Sequence, residues 1–191
     1  MLDFLKEYAK HPRTVGAVKA SGKRLAKKMM KAVDFGTAKC IVEYGPGTGV
    51  FTREILSRKK EETMLFLIEK NDAFYYKMRT LYGARQDIVV IQGSAEEADR
   101  LIRAHGVKHA DAVISGLPFA SLPQDVAYRI CKATRHIIGR DGKFITFQYT
   151  NLRKEFFEKY FTFENIFFEA VNVPPAKVFV MKNREKAEGA Q

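Results

Sequence analysis

Cysteine is scarce in this chain of 191 residues: Cys40 and Cys131 are the only two. They form neither a disulfide framework nor a zinc-type spacing, and they suit a reducing, cytoplasmic setting. No metal site is expected. No apolar run approaches the ~20 residues that a membrane-spanning helix needs. The N-terminus, MLDFLKEYAKHPRTVGAVKASGKR, has no continuous apolar core and no cleavage site, so a secretory signal is not expected. Repeats, low-complexity tracts and linkers are also missing, which points to one domain. Acidic residues are outnumbered, with 22 Asp and Glu against 33 Lys and Arg, a net charge of +11. Such an excess favours a polyanionic partner, either nucleic acid or an anionic membrane surface.

What is present is an alternation. CIVEYG (40–45), MLFLIE (64–69), DIVVIQ (87–92), DAVISG (111–116) and GKFITFQYT (142–150) are short runs rich in β-branched and aromatic residues. They read as strands buried on both faces. Helical patterns lie between them. TGVFTREILSR places Val50, Phe51, Ile55 and Leu56 on one side; Asn71 or Asp72 caps NDAFYYKMRTLY. Ser94 and Glu97 have the spacing of a capping box, and Gly139 reads as the stop of LPQDVAYRICKATRHII. The order predicts an α/β fold with a largely parallel sheet and helices on both faces. FTFENIFFEAVNV and PPAKVFVMK read as an antiparallel pair around Pro174-Pro175 at one edge.

Two helical pieces precede this core. MLDFLKEYAKH carries Leu2, Phe4, Leu5 and Tyr8; SGKRLAKKMMKAVDF gathers Leu25, Met29 and Val33 and surrounds them with lysines. The expected organisation is 1–35 as amphipathic and basic helices covering the active site, 36–182 as the catalytic core, and 183–191 as a flexible tail.

Gly45, Gly47 and Gly49 follow the first strand and open a helix. Such a turn needs unusual φ values, and the missing β-carbons let a ligand touch the backbone. Pro46 stiffens the loop and Thr48 is placed to cap the helix. Glu69 ends the second strand, 24 residues after Gly45, where an acid can take hydrogen bonds from ribose hydroxyls. Glu43 lies just before the loop. A carboxylate there repels a pyrophosphate and suits a cationic ligand end, which favours S-adenosylmethionine over a dinucleotide.

VEYGPGTGVFTREIL with IEKND resembles the class I S-adenosylmethionine-dependent methyltransferases. The resemblance implies a Rossmann-like seven-stranded sheet with an antiparallel last strand, and S-adenosyl-L-methionine as methyl donor with no metal. It implies a cofactor site made of Glu43, Tyr44, Gly45, Pro46, Gly47, Thr48 and Gly49. Glu69 and Lys70 follow at the ribose. Ser94 and Ala95 stand where the family usually has an acid for the adenine amine. Within the class, SGLPF (115–119) resembles bacterial phospholipid and ornithine-lipid N-methyltransferases, and through them the ribosomal-RNA adenine dimethyltransferases. TVGAVKASGKRLAKKM, SLPQDVAYRI and VNVPPAKVFV extend the likeness to the lipid group over most of the chain. The motif makes Ser115, Gly116, Leu117, Pro118 and Phe119 the candidate acceptor loop, with Ser115 also touching cofactor.

Pro118 restricts Leu117 to extended backbone, which can aim the carbonyls of Ser115 or Gly116 at an amine. Phe119 can offer a ring to an adenine or an alkylammonium. Tyr149, ending the fifth strand, is the candidate headgroup contact, and His136 reads as a surface residue. The expected function is N-methylation of a phospholipid or other amino-lipid by an enzyme peripheral to the inner face of the cell membrane. Its basic N-terminal helices would lie on anionic lipid. An adenine N6-dimethyltransferase acting on ribosomal RNA is the runner-up, since such enzymes carry a further helical domain where this chain has a short tail. A non-catalytic S-adenosylmethionine-binding protein is the third reading.

Overall fold

The computed structural model describes residues 22–149, 153–172 and 174–184. The apolar helix expected at 1–11 and the residues 185–191 of the tail lie outside them. The described chain opens in a helix, α1, over 22–30. There follow β1 (Cys40–Tyr44), α2 (Val50–Leu56), β2 (Met64–Glu69), α3 (Asp72–Tyr82) and β3 (Ile88–Gln92). Then come α4 (Ala98–Arg103), β4 (Ala110–Ser115), α5 (Gln124–Ile137), β5 (Ile138–Gln148), α6 (Lys154–Glu158), β6 (Phe161–Glu169) and β7 (Ala176–Asn183).

The seven strands form one sheet in the order β3-β2-β1-β4-β5-β7-β6. β1 to β5 pair in parallel, and β7 inserts antiparallel between β5 and β6. From β1 the strand order runs outward one way to β3 and from β4 the other way to β5, and this switch point places a crevice above the carboxyl ends of β1 and β4. One rung crosses the whole sheet just below that edge: Ile91, Ile68, Tyr44, Ser115, Thr146, Phe179 and Ile166.

Alternation along the strands divides the core in two. Val42 and Tyr44 face α4, α5 and α6, where Ala98, Ile102, Ile130, Cys131 and Phe157 are buried. Ile41, Leu65 and Leu67 face α1, α2 and α3, packed on Leu25, Met29, Ile55 and Met78. Each such fully buried side chain contributes about 1.5–3 kcal/mol of transfer free energy. The buried stripe of α1 is therefore a core element, while its Lys23, Arg24 and Lys27 stay exposed. Both cysteines are buried and unpaired, and burial pushes the Cys40 thiol up to about 12.

Three boundaries differ from the sequence reading, and one open choice of cap is settled. The strand expected at 142 begins at Ile138, directly off α5, so Gly139, expected as the helix stop, lies inside β5. A register shift between Ala110 and Ala112 absorbs the extra residues. Gly142 sits in that irregularity, where a β-carbon would stand 2.7 Å from the Ala110 carbonyl. The helix expected from Ser94 starts as a 3-10 turn, Ala95–Glu97. Its tighter rise brings the amide of Glu96, not Glu97, to the Ser94 hydroxyl. Asn71, rather than Asp72, caps α3 by accepting from the Phe74 amide. Asn183, expected in the tail, closes β7 and donates to the carbonyls of Arg135 and Ile138.

Candidate functional site

The loop from β1 to α2 carries three glycines with positive φ: Gly45 at 64°, Gly47 at 53° and Gly49 at 79°. This left-handed backbone is costly for residues with a β-carbon. Gly45 has a second constraint, because a β-carbon there would stand 2.9 Å from Leu117 Cδ2. The glycine loop and the loop after β4 are thus in van der Waals contact across the crevice.

Glu43 alternates with Ile41 onto the face of α2 and is fully buried. Its Oε2 accepts a hydrogen bond from Thr52 Oγ1 at 2.8 Å, and its Oε1 has no partner among the described residues. Burial pushes its carboxyl up to about 8; the Thr52 hydrogen bonds oppose the rise and the nearby Glu69 charge adds to it. A buried acid with one oxygen unsatisfied is a costly arrangement that a cation relieves. Glu69, also buried, ends β2 beneath the glycine loop. Its Oε2 accepts from the Gly47 amide at 3.0 Å and its Oε1 from the Asn71 amide at 2.9 Å. These two bonds hold the carboxylate at the lip of the crevice. Lys70 beside it is exposed.

The remaining cofactor candidates sort by where their side chains go. Pro46 is buried, and its carbonyl closes the loop by accepting from the Gly49 amide at 2.8 Å. Thr48 is exposed and does not cap α2, whose N-cap is Gly49 without a side-chain bond. Left-handed Gly49 turns the chain into the helix one residue too late for Thr48 to serve. Tyr44 is a core residue: it is fully buried, with its hydroxyl 3.2 Å from Thr134 Oγ1. Only its carbonyl meets the site, accepting from Gly116. Ser94 keeps its hydroxyl within its own turn, donating to Glu96 Oε1 at 2.9 Å, and Ala95 is buried beside it. Glu96 in turn pairs with Arg129 at 2.5 Å, which with Ser94 holds its carboxyl below the usual range against burial.

The acceptor candidates also divide. Ser115 is fully buried at the end of β4. Its hydroxyl accepts from the Leu117 amide at 3.2 Å and its carbonyl from Thr146 Oγ1 at 3.4 Å. Gly116 packs against the glycine loop, where a β-carbon would stand 3.2 Å from the Gly45 carbonyl. Pro118 is exposed. Phe119 turns inward. It is fully buried, with its ring edge-on to Phe144 and Phe157 at 6.0 and 5.0 Å, so it packs the core and does not face a substrate. Tyr149 stands at the catalytic edge, 46% exposed, with its ring against Phe147. His136 is far along α5, with Nδ1 within hydrogen-bond distance of Asp99 Oδ2 at 3.1 Å.

Two residues at this edge were not singled out from the sequence. Arg153, opening α6, donates from Nε to the Phe119 carbonyl at 3.1 Å and from Nη2 to the Leu122 carbonyl at 3.0 Å. Its guanidinium also lies over the Phe156 ring. It ties down the turn that follows Pro118. Gln148, the last residue of β5, is buried two residues beyond Thr146, the strand partner of Ser115. Neither carries a motif; both become visible only when β4 and β5 are side by side. Among the described residues no group of three or more His, Cys, Asp or Glu is placed to hold a metal ion.

Comparison with known proteins adds relatives. No protein-family model matches the chain. An ornithine lipid N-methyltransferase from Singulisphaera acidiphila is 25% identical over 179 residues, covering 92% of this chain and 92% of that protein. The 1,6-didemethyltoxoflavin-N1-methyltransferase of Burkholderia thailandensis, solved with S-adenosylhomocysteine, superposes with a TM-score of 0.67 at 13% identity, over 96% of this chain and 86% of its own. TrmN from Thermus thermophilus superposes with a TM-score of 0.66 at 12% identity over 85% of this chain. This chain spans about half of TrmN, 49% of its length. The fold is that of the class I methyltransferases.

Proposed function

We propose, on the premise that this chain is a class I S-adenosylmethionine-dependent N-methyltransferase, that its acceptor is the amine of a phospholipid or other amino-lipid headgroup. The observation that carries this reading is the match to an ornithine lipid N-methyltransferase along 92% of both chains. The spelling of the acceptor loop, with Ser115-Gly116 before Leu117-Pro118, supports it.

The residues present fit the cofactor. Glu43, buried with Oε1 unpartnered among the described residues, would ionise against the methionine ammonium, and Glu69 is held where ribose hydroxyls would sit. S-adenosylmethionine supplies an electrophilic methyl on a positively charged sulfur. The chain's own part is positioning. Transfer is an in-line displacement, so the amine nitrogen must be held about 3 Å from the methyl with its lone pair aimed along the carbon–sulfur bond. The carbonyls of Ser115 and Gly116 are the loop acceptors assigned to the amine N–H. A lipid ammonium must lose a proton before it attacks, and Tyr149 at the rim is the assigned headgroup contact.

A lipid acceptor requires the catalytic edge to meet a bilayer. Phe168 and Val171 are 56% and 58% exposed. They lie at and just beyond the carboxyl end of β6, on the same edge of the sheet as the glycine loop. Lys28 of α1 donates to the Phe168 carbonyl at 2.8 Å, which brings the exposed Lys23, Arg24 and Lys27 to that edge. Apolar side chains rimmed by cations suit an anionic lipid surface. No helix of the described residues is long and apolar enough to cross a membrane, so contact would be peripheral. The test offers radiolabelled methyl donor with amino-lipid liposomes and ribosomal RNA side by side. Label in lipid is expected; label confined to RNA would reverse the assignment.

A further inference from the structure

We infer that Gln148 binds the acceptor, donating from its side-chain amide to an oxygen anion that the acceptor carries close to its amine. This deepens the amino-lipid reading and rests on it.

Gln148 is 3% exposed, and its Nε2 has no hydrogen-bond partner among the described residues. A buried donor left unpaired costs about 1–3 kcal/mol, and native structures keep few of them without cause. Its place supplies the cause. Ser115 pairs with Thr146 across β4 and β5. Strand alternation puts Gln148, two residues on, over the same face of the sheet as Thr146 and Ser115, toward the crevice. Thr146 already holds the Ser115 carbonyl. The next polar side chain along β5 is therefore the one that borders the acceptor loop with hydrogen-bonding capacity to spare.

The polarity of the free group decides what it takes. An N–H cannot be given to the attacking nitrogen, because that lone pair must point at the methyl. The donor suits an oxygen a few bonds away instead. Amino-lipid headgroups place an anion there: the phosphodiester in an ethanolamine lipid, the carboxylate in an amino-acid lipid. Both present the same chemistry to an amide N–H, and a bond to a charged oxygen is among the stronger neutral-donor contacts. Anchoring that oxygen fixes the short carbon chain between it and the amine, and so aims the nitrogen.

The decisive variant is Gln148→Met, which keeps length and volume and removes the donor. Full-length protein is assayed with phosphatidylethanolamine and with an ornithine-type lipid in mixed micelles, beside an RNA control. KM for the lipid that wild type methylates should rise about tenfold or more. Affinity for S-adenosylhomocysteine should be unchanged. Melting temperature should hold or rise, because an unpaired buried donor has gone; a purely structural glutamine would lower it. Gln148→Asn should lose less than Gln148→Met. The lipid whose KM responds identifies the anion as phosphate or carboxylate. Lipid KM unchanged in Gln148→Met, with wild type active, would overturn the role of Gln148 and leave the amino-lipid reading standing. Methylation of RNA alone by wild type would overturn both.

Discussion

Replacing Glu43 by glutamine should make the cofactor-free protein more stable and the cofactor weaker-bound, and pH should reveal why. Burial moves the carboxyl from 4.5 to about 8. The folded state therefore holds a proton that the unfolded chain has lost anywhere between those values. For an acid raised in this way, stability is fully present below pH 4.5 and is lost as pH climbs to 8. At 1.36 kcal/mol per pH unit, the loss across that window is at most about 5 kcal/mol. Glutamine keeps an acceptor for Thr52 Oγ1 and has nothing to ionise. Wild type should therefore lose stability relative to Glu43→Gln by up to about 4 kcal/mol between pH 5 and pH 8. For a chain of this size that corresponds to a gap in melting temperature widening by roughly 10 °C. The groups common to both proteins cancel in the difference. Scanning calorimetry of the two apo proteins at several pH values measures it. S-adenosylhomocysteine, which retains the ammonium, should stabilise wild type more than the variant, with affinity about tenfold or more apart. Melting curves that shift in parallel with pH would refute the reasoning, since Glu43 would then be ionised in both states.

Three further outcomes are expected. Gly45→Ala meets a φ of 64° and a β-carbon 2.9 Å from Leu117 Cδ2; it should cost about 1–3 kcal/mol by chemical denaturation. Adding Leu117→Ala should cost less than the two single losses summed, since the clash is shared. Arg153→Met removes two charge-assisted bonds to the carbonyls of Phe119 and Leu122; kcat should fall and stability drop by about 1–3 kcal/mol, with cofactor affinity by calorimetry unchanged. Phe168→Glu with Val171→Glu should lower sedimentation with anionic vesicles at low salt; an unaltered bound fraction would remove β6 from the membrane surface.

The cofactor half of the site was legible in the linear chain because its parts are local. A strand, a glycine turn and a helix occupy residues 40–56, and Glu69 follows one crossover later. The acceptor half was read less well. SGLPF marked a loop that packs against the glycine turn, but Phe119 was assigned a ligand-facing ring that instead packs on Phe144 and Phe157. An aromatic after Pro118 looks the same in sequence whichever way the 3-10 turn rolls it. Tyr44 likewise belongs to the motif by position and to the core by side chain, because period-2 alternation carries it to the face of α5.

By itself the sequence determined the alternating αβ order, the number of strands, the positive-φ loop and the acid at the end of β2, since each is set by propensity and spacing within a few residues. Only the tertiary structure decided which polar groups remain unsatisfied once the strands are side by side. Glu43 Oε1 and Gln148 Nε2 are ordinary atoms in a line of text. They become candidate ligand contacts because the packed core buries them without a hydrogen-bond partner among the described residues, and burial of that kind is a property of the whole fold.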